Sequence, residues 1–246
     1  MKKSMTAIAL ICTLLLAAGL SACGKPASSA PTSNVPAENS VVSTLPADSE
    51  IPVAIFPQDT TDGAAAAALM PKVSMVPVPD TVPAFLPADL QQLYSTAYFM
   101  FWHFRIDTAF GNLDYQDAIT ADNGMEYYRD NGFASYSDFD ALLRAVFTDD
   151  YANSLLNDSM AYFNDGNNVL YTADGARGEN IMYRGATCNL VSASDSEIVF
   201  TLTGHYDDSD FEIENYEPEG PSEKTFQFTL TKTENGWRFS AFDLAV

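Results

Sequence analysis

Cysteine, histidine and basic residues are all scarce in this chain, and each shortage closes off a class of function. The three cysteines are Cys12, Cys23 and Cys188. The first two fall in or beside the N-terminal apolar segment, so Cys188 stands alone and no disulfide framework staples the folded part. Its setting, "RGATCNLV", reads as a strand, and a lone thiol there is expected to act as a small buried hydrophobe rather than a nucleophile. The two histidines, His103 and His205, have no second histidine or cysteine three or four residues away, which argues against a zinc site. Twelve Lys and Arg stand against 33 Asp and Glu. Without clustered basic residues to neutralise phosphates, nucleic acid is excluded as a partner. There is no G-x-S-x-G, H-E-x-x-H, phosphate loop or G-x-G-x-x-G, so neither a catalytic centre nor a cofactor is expected. The longest apolar run, Met5 to Leu20, falls short of the ~20 residues a spanning helix needs.

That run has a different meaning. Lys2 and Lys3 precede it, and Leu20-Ser21-Ala22-Cys23 follow it. A short basic region, an apolar core and small residues before a cleavage point make a secretory signal. The cysteine at the expected first mature position resembles the bacterial lipobox. The expectation is cleavage after residue 22 and acylation of Cys23, placing the chain on the outer face of the cell membrane. Loss of residues 1–22 removes two lysines and no acid, leaving ten basic against 33 acidic side chains, a formal charge of −23. Such a chain is repelled by anionic headgroups, so attachment must come from the lipid. The charge itself serves solubility or the docking of a basic partner.

Eleven of the 13 prolines lie between Pro26 and Pro87, and Phe56 is the only aromatic residue from Cys23 to Ala84. Such a composition buries too little apolar surface to offset ordering. Residues 23–86 are therefore expected to be a flexible stalk, with "GAAAAALM" (63–70) at most transiently helical. Residues 87–246 then form a single domain of a size that supports one core. Leu90, Leu93, Tyr94, Ala97, Phe101 and Phe104 fall at helical spacing, starting near Pro87 and ending before Gly111. Asn123-Gly124 and Asn131-Gly132 mark turns in a following loop. Ser137 with Asp140 reads as a capping box for a helix carrying Phe139, Leu142, Leu143, Val146 and Phe147. Thr148 opens another with Tyr151, Leu155 and Leu156. Beyond about residue 160 the period changes to two. Segments 167–173, 184–191, 197–206, 224–232 and 237–246 read as strands, the last two joined at Asn235-Gly236. Helices first and an antiparallel meander second predict α+β: a long N-terminal helix and two short ones on a curved antiparallel sheet of five to six strands.

Two candidate sites emerge. His103 sits among aromatic residues in "FMFWHFRI". Tyr98, Phe101, Trp102 and His103 would line a pocket if the domain closes as a cone, the alternative being plain packing. The second candidate is "HYDDSDFEIENYEPEGPSE" (205–223), whose Asp207, Asp208, Asp210, Glu212 and Glu214 form an acidic loop for docking or merely solvation. Calcium is disfavoured, since the sixth position of a loop starting at Asp208 is Ile213, where the sharp turn requires glycine.

"SYSDFDALLRAVFTDDYANSLL", "YFNDGNNVLYTADGARG" and the terminal "FTLTKTENGWRFSAFDLAV" together resemble the IseA-like DL-endopeptidase inhibitor proteins of Gram-positive bacteria. The resemblance spans about 90–246. It implies a non-enzymatic extracytoplasmic protein that inhibits the peptidoglycan-trimming hydrolases by filling a basic cleft with an acidic surface. The lipobox and long stalk depart from that pattern. The helix-then-sheet order is also similar to the nuclear-transport-factor-two-like cone, which implies a small-ligand or sensory domain instead.

Overall fold

The computed structural model describes residues 54–246 except 59, 123 and 211–218. The expected signal, Cys23 and much of the expected stalk lie outside the described residues. The chain is α+β: among the described residues, four helices accompany two antiparallel four-stranded sheets. The second sheet corrects the expectation of one sheet of five to six strands. No helix among the described residues is long and apolar enough to cross a membrane.

Helix α2 (Ala88–Arg105) organises the core. Its buried residues occupy nearly every face, from Leu90 and Leu93 through Tyr94, Ala97, Phe99, Met100 and Phe101 to Phe104. An all-round apolar helix must be covered on all sides. The larger sheet covers one flank. It runs in the order β5 (Tyr183–Ala193), β6 (Glu197–Tyr206), β7 (Ser222–Thr233), β8 (Gly236–Ala241). Ile198, Phe200, Leu202, Phe226, Phe228, Leu230, Trp237 and Phe239 alternate inward along these strands, as one core face and one wet face require. The Tyr94 ring meets Phe200, Phe228, Phe239 and Phe242 at centroid distances of 5.4–6.3 Å. The β7–β8 turn is Glu234-Asn235, one residue earlier than expected, and Gly236 opens β8 at φ +105°, a left-handed backbone that glycine adopts without strain.

The smaller sheet is the part the alternation rule did not reveal. Its order is β1 (Leu113–Thr120), β2 (Glu126–Asp130), β4 (Leu170–Thr172), β3 (Tyr162–Asn164). No residue of β1 is fully buried, and its register slips between Asp114 and Ala118. Where neither face is buried, period-two patterning is not imposed. Segment 113–130, expected as loop, is therefore a bulged hairpin, with Gly124 at φ +82° in its turn. Helices α3 (Tyr136–Val146) and α4 (Asp149–Ser159) follow. Ser135, not Ser137, caps α3: its hydroxyl accepts from the Asp138 amide at 3.1 Å and donates to the Asp138 carboxylate at 2.7 Å. Ser137 instead binds Asn168.

The folded unit begins earlier than Pro87. Helix α1 (Asp62–Ala68) is docked, with Gly63 and Ala66 buried. The Asp89 carboxylate of α2 accepts from the Gly63 and Ala64 amides at 3.1 and 3.0 Å, satisfying donors a helix start leaves orphaned. Asp62 accepts from the Trp237 amide at 3.0 Å and lies 3.6 Å from Arg238. A Cβ on Gly63 would collide with the Asp89 carbonyl. Tertiary contacts thus hold an alanine-rich turn that composition alone left unformed. Val73, Val82, Phe85 and Leu86 also pack on the core, which places 62–86 with the domain rather than the stalk.

Candidate functional site

Along α2, Tyr98 and Trp102 lie four residues apart and so share one stripe, their rings 6.0 Å apart. With His103 they line a cavity of about 390 Å³. The extended segment Val73–Val78 also lines it, as do Asp107, Phe110, Gly111, Asn112 and Glu179. Phe101 does not take part, contrary to the sequence-based grouping. At about 100° per residue it lies on roughly the opposite side of the helix from His103. It is fully buried, parallel to Tyr151 at 6.5 Å, 5.3 Å from Phe242, and covered by the Arg105 guanidinium.

The chain turns sharply after α2, and that turn fixes the imidazole. His103 is 5 % exposed. Its Nδ1 lies 2.8 Å from the Asp107 carbonyl, which can only accept, so Nδ1 carries the hydrogen and Nε2 the lone pair. Nε2 is buried without a hydrogen-bond partner among the described residues. Burial pushes the pKa of His103 below its usual value, against the opposing pull of the Asp107 carbonyl, the Asp107 and Asp130 carboxylates and the Ala109 backbone. The ring is held by Phe110 at 4.2 Å and Phe99 at 5.0 Å. Phe110 is in turn fixed from behind. The buried Asp130 carboxylate accepts from the Phe110 amide at 2.8 Å, the Gly132 amide at 2.7 Å and the Thr172 hydroxyl at 3.2 Å. Burial, and then the charges of Asp80 and Glu179, raise the Tyr98 hydroxyl well above its ordinary value, so it stays a protonated donor.

The acidic candidate divides. The Asp207 carboxylate accepts from the amide and hydroxyl of Ser209, and these bonds hold it below the usual carboxylate range. Asp208 is 4 % exposed, not the solvated charge expected. Its two oxygens accept from the Glu219 and Gly220 amides at 3.0 and 2.7 Å, so it closes the base of its loop. Asp210 is exposed, 3.9 Å from Arg184. Glu212 and Glu214 lie outside the described residues. His205 bridges Glu223 at 3.1 Å and Thr187 at 3.3 Å. The Cys188 thiol is half-buried in β5 and pushed up to about 11, first by burial and then by Asp80. That leaves little thiolate near neutrality. Among the described residues no group of three or more His, Cys, Asp or Glu could hold a metal ion.

Several cavity residues escaped sequence reasoning. The prolines of Val73–Val78 suggest a stalk, yet "KVSMVPVPD" carries four Val or Met residues in six, a density that loose tethers seldom have. Asp107, Asn112 and Glu179 carried no motif that would single them out. No protein-family model matches the chain, and no curated protein matches it.

Proposed function

We propose that this chain is a lipid-anchored extracytoplasmic binding protein without catalytic activity, and that its domain holds a small ligand in the Tyr98–Trp102–His103 cleft. The cleft itself carries the reading. Small-molecule sites are concave, mostly apolar and furnished with a few convergent polar groups. Here about 390 Å³ is walled by valines, a methionine and three aromatic rings, with a buried acceptor, a protonated phenol and two carboxylates at its margins. Among the described residues no hydroxyl or thiol is hydrogen-bonded to His103, which disfavours an enzyme. Anchoring through Cys23 rests on the lipobox alone.

The test is a fragment titration followed by amide and indole shifts. The expected result is saturable change confined to Tyr98, Trp102, His103, Gly111 and Asn112. A broad fragment set that moves none of these would end the ligand-binding reading.

The second reading, inhibition of a basic peptidoglycan DL-endopeptidase, keeps one supporting observation: exposed Asp210 on a chain of strongly negative charge. Charge-led docking acts first on encounter rate and weakens with salt. Inhibition of a purified endopeptidase that falls with added salt would favour it, and no inhibition at any concentration would remove it.

A further inference from the structure

Every charged group lining the cleft is an acceptor. Asp107 and Glu179 supply carboxylates, and among the described residues no Lys or Arg lines the cavity. His103 lines the same cavity together with Ser74, Tyr98 and Asn112, and its Nε2 is a buried lone pair without a hydrogen-bond partner among the described residues. An unpaired buried acceptor is costly, and a ligand that donates to it removes the cost. The remaining walls include the faces of Tyr98, Trp102 and Phe110, and aromatic faces attract cations, Trp most strongly. An anionic ligand would meet two carboxylates with no compensating cation. A purely apolar ligand would leave Nε2 unpaired. A quaternary ammonium would satisfy the rings and the carboxylates but has no hydrogen to give the imidazole.

We infer that the cleft selects a primary or secondary organic ammonium ion with an apolar body, its charge between Asp107 and Glu179 on the aromatic wall and an N–H directed to His103. This rests on the cleft being a ligand site at all, and the experiment separates the two claims. The whole chain, carrying Trp237→Phe so that Trp102 is the only tryptophan, is titrated with four probes of similar size. They are 2-phenylethylamine, its N,N,N-trimethyl derivative, 3-phenylpropionate and 3-phenylpropan-1-ol. Trp102 fluorescence is the readout, and amide shifts of the unsubstituted chain confirm the site. The amine is expected to bind about tenfold more tightly than the carboxylate or alcohol, from one cation–π contact and a partly exposed charge pair. It should also exceed the trimethyl derivative. Glu179→Gln, at an exposed position, should weaken the amine about two- to fivefold and leave the alcohol unchanged. If the carboxylate or the alcohol binds as tightly as the amine, the ligand class is overturned while the cleft remains a binding site. Equal binding of the trimethyl derivative overturns the role of His103. If no probe changes Trp102 or the amides, the binding reading falls and the inference with it.

Discussion

Phe101 and Trp102 are adjacent aromatic residues on one helix, and they have opposite surroundings. Phe101 is closed in by Phe147, Tyr151 and Phe242. Trp102 is half-buried and faces the cavity. The closed side of α2 is where folding free energy is concentrated, because Phe101 and Phe147 there lose nearly all contact with water. The open side keeps unfilled volume beside the unpartnered His103 Nε2, and unfilled volume is what a site needs and a core avoids. Asp208 and Asp210 repeat the contrast: one carboxylate is buried on two amides and the other is in water. A residue's chemical type does not say which side it serves.

The largest expected effect breaks the first pair. Phe101→Ala should lower stability by about 3–5 kcal/mol, the range for removing a buried ring. Trp102→Ala should cost no more than about 1–2 kcal/mol, since only part of its surface leaves water. Urea unfolding of the two variants measures the difference. Equal losses would mean that α2 has no open side. Next is Gly63→Ala, which tests how far the closed side extends toward the N-terminus. A methyl forced against the Asp89 carbonyl should cost about 2–3 kcal/mol by overpacking and strip residues 62–68 of amide-exchange protection. Unchanged exchange would show that α1 is not held as described.

The second pair gives a smaller effect. Asp208→Asn turns a donor toward a backbone amide and should cost about 1–2 kcal/mol, whereas Asp210→Asn should stay within ~0.5 kcal/mol. Thermal melts of the two single variants decide this, and equal small shifts would return Asp208 to the solvated surface.

The last effect concerns His103 and pH. Its folded pKa is depressed, so the neutral ring is favoured in the fold. Stability from such a group is present above its unfolded value near 6.5 and is lost as pH falls through the folded one. Between pH 7 and 5 the chain should therefore lose stability relative to His103→Gln, by at most about 1.4 kcal/mol per pH unit. Parallel pH profiles of the two proteins would show that the imidazole is not sealed from water.

Periodicity carried the parts of this protein where one face is buried against one neighbour. The strands from Glu197 to Tyr206 and from Ser222 to Thr233 were readable because Phe, Ile and Leu alternate with polar residues, and α3 and α4 because their apolar stripes repeat at helical spacing. The α+β class, and the expectation of a lipobox at Cys23, needed nothing beyond local pattern. Tertiary structure alone decided the rest, because the relevant contacts join residues far apart in the chain. Strand β1 buries no face of its own, so it leaves no clear alternating mark. Helix α1 is stabilised by Asp89 and the Trp237 amide rather than by its own sequence. The cleft combines a proline-rich segment, one stripe of α2, the turn at Asp107 and a loop residue at Glu179. Composition showed that His103 has aromatic neighbours. Only packing could show that one of its nitrogens is bonded and the other is left buried beside an empty volume.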